Sequence, residues 1–368
     1  MGKVILYNII GIVAVLAIIF FKIPAIWIIG GMLTLLIFVI FNPFIPRVES
    51  IPKGFIEKKF NTGKITLNYV EGPDNGPPLL FIPGQMEFWQ GYKLVMPHFA
   101  KKYHVFVIDI RGHGKSTKTP GEYSYNIIGE DLKSFLQNIV EKPAIVSGLS
   151  SGAVLSLWLA ANASECVSVA ISEDPPLFSS MWPRIIEEKY MYRLFEIAVK
   201  YLGKSERDIL GYFMSQGIPK EGYENLFLIP KWIAKFIVGL YELNKKIRPA
   251  RQYDIPLAPF SGRVGFKFLN EYDVDFSKAT IDGRLTDGFS PEETLEKIKR
   301  PVLLIQARWS RHRTWGLLGA LDDNDAEKIS SAVKNIKVVK VDAIHDVHLA
   351  KPKLFVNTVD EYLSSTKF

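Results

Sequence analysis

Six short apolar, β-branched runs recur along the chain, at residues 79–82, 105–109, 144–147, 167–172, 302–306 and 337–341, with helical patterns between most of them. Runs this short that are apolar throughout fit strands covered on both faces, which arise when successive strands lie parallel and the connecting helices pack on either side. The pattern therefore restricts the chain to an α/β architecture with a mostly parallel sheet. Ile56–Asn61 and residues 64–70, joined at Thr62-Gly63, read as two more strands before the series.

One stretch breaks the alternation. Residues 175–297 are rich in Trp, Tyr, Phe and Lys, show helical spacing at 185–202 and 231–243, and contain no clear strand, so they read as a helical cap inserted into the sheet domain. The sheet domain is then split into residues 47–174 and 298–368. A chain of 368 residues with 48% hydrophobic content has room for one large domain, an insertion and a short extra segment.

That extra segment is residues 1–46. Residues 4–21 and 23–41 are uncharged apolar runs separated by Lys22, each near the length of about 20 residues that a helix needs to cross a bilayer. They read as a transmembrane helical hairpin turning at Lys22-Ile23-Pro24 and holding the protein in membrane lipid through residues 4–41. No small-residue cleavage site follows the first run, so a retained anchor is expected rather than a removable signal peptide. Arg47, Lys53, Lys58 and Lys59 follow the anchor, against Lys3 and Lys22 before and within it, which favours a cell-membrane protein with its sheet domain on the cytoplasmic side. Cys166, the single cysteine, excludes an internal disulfide and fits a reducing compartment. The net charge of +7 is spread without a polybasic block, and no nucleic-acid partner is expected.

Chemistry enters at Gly148-Leu149-Ser150-Ser151-Gly152, between the apolar run at 144–147 and an apolar helical pattern from Ala153 to Ala161. A serine between two glycines where a strand must turn sharply into a helix reads as a nucleophile elbow: the hydroxyl is exposed and the following helix N-terminus aims N–H groups at any oxyanion formed there. Such a serine needs a base, and His345, just past the last strand, can be carried over the sheet by its loop. His348, three residues on, would pack in the loop or help hold His345, while His98, His104, His113 and His312 read as surface or structural residues. The base needs an acid. The loop after residues 302–306 offers Ser310 but no carboxylate, whereas Glu173 and Asp174 lie side by side at the end of the preceding strand. Alternation along an extended segment lets only one of them face the histidine, and Asp174 is preferred, with Glu173 second and Asp322 or Asp323 third. The other member of the pair would cap the first helix of the cap. Oxyanion donors are expected from the N–H of Ser151 and from that of Gln85 in the loop Pro83-Gly84-Gln85-Met86. Gly114-Lys115-Ser116-Thr117 looks like the end of a phosphate-binding loop, but Asp109 stands where its first glycine is required, which excludes a nucleotide triphosphatase.

Taken together, Phe81-Ile82-Pro83-Gly84-Gln85, Asp109-Ile110-Arg111-Gly112-His113-Gly114-Lys115-Ser116, the serine pentapeptide, Pro301 to Ile305 and Ile344-His345-Asp346-Val347-His348 resemble the α/β-hydrolase family over about residues 64–366. The resemblance implies a mostly parallel eight-stranded sheet with helices on both faces, a cap after the sixth strand, and a Ser, acid, His triad in that chain order. Three positions depart from the family pattern: Pro83 replaces a histidine, Ile344 a glycine, and Ser310 the usual acid. The last strengthens Asp174, because some members carry the acid after the sixth strand. The expectation is a membrane-anchored serine hydrolase, a carboxylesterase or lipase acting through an acyl-enzyme on an apolar ester or acyl substrate, with no cofactor and no metal. A cofactor-free peroxidase or aminopeptidase, and a non-catalytic binding or scaffold protein, are the alternatives. In the cap, aromatic residues such as Phe178, Trp182, Phe195 and Trp232 form either its own core or a site for an acyl chain.

Overall fold

The structure, a computed structural model, describes residues 47–219, 226–255 and 258–366 together with Gly30, Gly31 and Thr34. The expected transmembrane hairpin lies outside the described residues, and among the described residues no helix is long and apolar enough to cross a membrane. By mutual contacts the chain divides into two units, residues 51–239 with 261–368, and residues 1–50 with 240–260.

The larger unit is built on eight strands: β1 (Ile56–Asn61), β2 (Thr66–Glu71), β3 (Pro78–Ile82), β4 (His104–Asp109), β5 (Ala144–Leu149), β6 (Val167–Glu173), β7 (Val302–Gln306) and β8 (Ile336–Lys340). Their order in the sheet is β1-β2-β4-β3-β5-β6-β7-β8. β2 runs antiparallel to both β1 and β4, and every other neighbouring pair is parallel. The strands are buried because side chains on both faces have partners. Leu79, Phe81, Val105, Val107, Ile145, Val169, Ile171, Leu303 and Ile305 alternate onto one face. There they meet Trp89, Tyr92 and Phe99 from the segment after β3, and Phe355, Val359 and Leu363 from the last helix, Pro352–Ser365. The other face carries α1 (Tyr125–Phe135), started by the Ser124 side chain accepting from the Ile127 N–H, and α2 (Ser151–Asn162). Ten of the twelve residues of α2 are buried, as expected of a helix that is apolar all round and lies between sheet and neighbouring helix.

Residues 175–297 are largely helical, with α3 (Lys189–Leu202), α4 (Lys231–Ile247) and α5 (Val274–Asp282) as their longest elements. They also contain a two-stranded antiparallel ladder, Gly217–Pro219 with Leu226–Leu228, where the sequence suggested no strand. Three residues a side are too few for an alternation to be visible. A second small ladder, Ser310–His312 with Gly316–Leu318, follows β7.

Beneath the carboxyl ends of the strands lies a polar framework. Asp109 accepts hydrogen bonds from the Trp89 N–H (2.9 Å) and Asn68 Nδ2 (2.9 Å), and Arg111 forms two parallel bonds to Asp131, 2.7 and 2.9 Å. Both members of the Arg111–Asp131 pair are buried, at 2% and 5% exposed. Removing one would leave the other charged and uncompensated, with only Glu122 near Arg111 to offset it. Asp131→Ala is therefore expected to lower the unfolding free energy by about 3 kcal/mol, read by urea denaturation.

Candidate active site

The sequence around Ser150 cannot form an ordinary turn. Ser150 has φ 53° and ψ −122°, a conformation L-residues rarely adopt, and α2 starts at the next residue. Gly152 allows that helix to come down onto the loop after β3: a Cβ there would lie 2.2 Å from the Ile82 carbonyl oxygen. From the other side Gly84 approaches the nucleophile position, where an added Cβ would sit 3.0 Å from Ser150 Cβ. Two glycines thus let backbone come close to the serine.

The neighbouring strand supplies the acid. The Ser150 N–H donates to the Glu173 carbonyl (2.9 Å) and the Asp174 N–H to that of Ile305 (2.8 Å), so the ends of β5, β6 and β7 are tied together. Asp174 lies just past β6 with φ 48°, which swings its carboxylate out of the strand alternation. Its Oδ2 is 2.6 Å from His345 Nδ1, and its Oδ1 accepts from the Ala307 N–H at 3.2 Å. Glu173 obeys the alternation and lies on the face of Val169 and Ile171. There it accepts from the His348 N–H (2.9 Å) and pairs with His348 Nδ1 (3.0 Å). The His348 ring is fully buried and stacks on Tyr92 with centroids 4.0 Å apart.

Each of the two adjacent carboxylates thus holds its own histidine, one His–carboxylate pair beside the other. Neither caps a helix of the insertion: the 3-10 turn Phe178–Ser180 and α3 both begin without a side-chain cap. Asp322 and Asp323 lie elsewhere. Asp322 caps the helix Asp323–Ala332 and pairs with Arg311 (2.7 Å), and Asp323 accepts from Gln306, Trp309 and Lys340. The remaining histidines are tied to other partners: His98 to Asp360, His104 to Glu71, and His312 to the Thr314 N–H.

What holds the loop after β3 could not be read from the sequence. His113 is buried, and its Nε2 accepts from the Met86 N–H (3.1 Å) while Nδ1 lies 3.0 Å from the Arg111 carbonyl, so the proton is on Nδ1. Burial pushes its pKa down to about 4, against the opposing pull of the Arg111 carbonyl, and the ring is a neutral clasp for the loop after β3. The Gln85 amide is gripped by the insertion, with Nε2 donating to Tyr272 Oη (2.9 Å) and Ser277 Oγ (3.2 Å) and Oε1 accepting from Thr280 (3.1 Å). Of the four cap aromatics named from the sequence, Trp182 and Trp232 are exposed, while Phe178 and Phe195 are half-buried. Among the described residues no cluster of His, Cys, Asp and Glu is arranged to hold a metal ion.

A family model described as alpha/beta hydrolase fold matches residues 77–206. The solved structure of the carboxylesterase CesB from Bacillus subtilis superposes with a TM-score of 0.60, covering 86% of this chain and 94% of that one at 16% identity. The chain has the α/β-hydrolase fold. Among curated relatives, epoxide hydrolase 2 of Caenorhabditis elegans is 27% identical over 183 residues, 48% of this chain and 46% of that protein. Epoxide hydrolase 1 of the same organism is 28% identical over 147 residues, 39% and 36% of the two chains. The chain thus spans less than half the length of these two relatives.

Electrostatics set the working state of His345. Burial lowers its pKa, but the hydrogen bond and charge of Asp174, with Asp346 and Glu87 adding, outweigh burial and carry it up to about 9. Asp174 is thereby placed to stabilise the protonated form of the ring. Asp174→Asn removes the largest upward cause, so the His345 midpoint is expected to fall towards the ordinary value of about 6.5, followed by NMR titration of the ring nitrogens.

Proposed function

We propose that the protein is a serine hydrolase that cleaves a carboxylic ester, as a carboxylesterase or lipase does, through an acyl-enzyme. One observation carries this reading: the Asp174–His345 pair, 2.6 Å, stands at the strand ends that hold Ser150 in its positive-φ turn. In this mechanism Ser150 Oγ attacks the acyl carbon and His345 Nε2 takes its proton, then gives it to the departing alcohol. Water, deprotonated by the same nitrogen, releases the carboxylic acid and restores the serine. Asp174 orients the ring and stabilises the imidazolium. The bond between Ser150 Oγ and His345 is not among those formed by the described residues, and such contacts often tighten only with substrate.

The Ser151 N–H, at the start of α2, and the Gln85 N–H would hold the oxyanion, each worth about 3–4 kcal/mol in the transition state. Support for Gln85 comes from its neighbours: the Met86 N–H is committed to His113 and the Glu87 N–H to the Gly84 carbonyl.

The epoxide hydrolases among the relatives invite comparison, but the residue at the turn argues for an acyl substrate. Serine attack on an epoxide carbon leaves an ether that water does not readily cleave, whereas attack on an acyl carbon leaves an ester that it does. Ser150→Ala is expected to abolish labelling by a fluorophosphonate probe with thermal unfolding unchanged. Asp174→Asn should slow p-nitrophenyl ester hydrolysis on the order of 10³–10⁴-fold. Turnover of epoxides but not of esters would overturn the reading.

The two apolar runs within residues 4–41 support a place at the membrane, with the sheet domain facing the cytoplasm. An apolar acyl substrate suits that setting. The full chain is expected to stay with the membrane pellet after alkaline carbonate extraction, and a chain starting at Arg47 to appear in the supernatant.

A further inference from the structure

The longest helix of the insertion, α4 (Lys231–Ile247), turns an apolar ridge to solvent. Trp232, Phe236, Leu243 and Ile247 are each at least 50% exposed, and their spacing of four, seven and four residues puts them on one side of the helix. Ala234, Tyr241 and Asn244, on the opposite side, are buried. No other helix among the described residues carries more than one exposed large hydrophobic side chain. Such a ridge, on the outer side of a helix whose inner side is already packed, marks a surface for another body.

Chemistry and chain length name that body. The next ridge carries Lys235, Glu242 and Lys246, all exposed, and α4 as a whole holds four lysines against Glu242 alone. Trp, Phe, Leu and Ile bordered by lysines suit a bilayer surface, where the apolar side chains enter the acyl boundary and the ammonium groups meet anionic headgroups. No helix among the described residues is long and apolar enough to cross a membrane, so α4 would lie in the plane of that surface. The chain itself brings lipid within reach. The Val48 N–H donates to Asp254 Oδ1 (2.8 Å), just past α4, and Asn244 of α4 donates to the Arg251 and Gln252 carbonyls (2.8 and 2.9 Å), holding that segment on the helix. Val48 stands seven residues past Phe41, the end of the second apolar run, and seven residues reach at most about 25 Å. We propose that α4 seats its Trp232-to-Ile247 ridge on the lipid surface that the two apolar runs enter, so that the insertion as well as residues 4–41 meets the bilayer. The seat rests on the reading of residues 4–41 as a membrane anchor for its nearness to lipid, though not for its own geometry.

The test uses the full chain in vesicles of phosphatidylcholine and phosphatidylserine, in a Cys166→Ser background. A fluorescent label is placed in turn at Phe236→Cys, at Leu243→Cys and, as an exposed control on β8, at Lys337→Cys. The two labels on α4 are expected to be shielded from aqueous iodide and quenched by lipids brominated on the acyl chain about twofold or more beyond the control. A label on α4 as open to iodide as the control overturns the seat. So does one shielded from iodide but unquenched by brominated lipid, because the ridge is then covered by protein, whether a second copy of the chain or another partner. Alkaline carbonate extraction of the same vesicles reports on residues 4–41 separately. A chain kept in the pellet with α4 labels open to iodide sinks the seat alone, and a chain released by carbonate after showing lipid-quenched labels sinks only the anchor.

Discussion

Two backbone hydrogen bonds at the end of β6 hold the site together. The Glu173 carbonyl receives the Ser150 N–H from one side, and the Asp174 N–H reaches the Ile305 carbonyl on the other, so three strand ends are fixed to within a hydrogen bond of each other. The geometry at the serine and at the acid follows from that fixation. Ser150 and Asp174 both have positive φ, each costing about 1–3 kcal/mol in isolation, and such strain persists only where the surroundings over-determine it. Here the surroundings are eight hydrogen-bonded strands with apolar side chains packed on both faces.

The strand framework was legible because its signal is local. Each run at 79–82, 144–147 or 302–306 is apolar enough to mark itself, and the observed strands differ from those readings by a residue or two at their ends. Gly148 to Gly152 was legible for the same reason. The acid was only half legible. Alternation offers one of two adjacent carboxylates to a histidine, but Asp174 lies beyond the strand in a left-handed conformation, so the rule applies to Glu173 and not to its neighbour. The result is a histidine for each carboxylate. Glu87, Tyr92 and the Tyr272, Ser277 and Thr280 grip on Gln85 carry no local signal, since their partners lie far away along the chain and meet only once the sheet has formed.

The chemistry of this strand edge is shaped by an excess of acid. Asp174, Glu173, Asp346 and Glu87 act on two imidazoles, and the low polarity around them magnifies each interaction. Both histidines are accordingly held above their ordinary pKa despite burial that works the other way. His113, fully buried and facing a carbonyl and an amide instead of carboxylates, is driven in the opposite direction. The direction in which each of these pKa values moves is set by the company the ring keeps.

The grip on Gln85 ties what the insertion can become to what the loop must do. Tyr272, Ser277 and Thr280 belong to the inserted segment, and each bonds the side chain of Gln85 in the loop after β3. A change in this helix or its leading tyrosine therefore reaches the loop after β3 as well as the insertion.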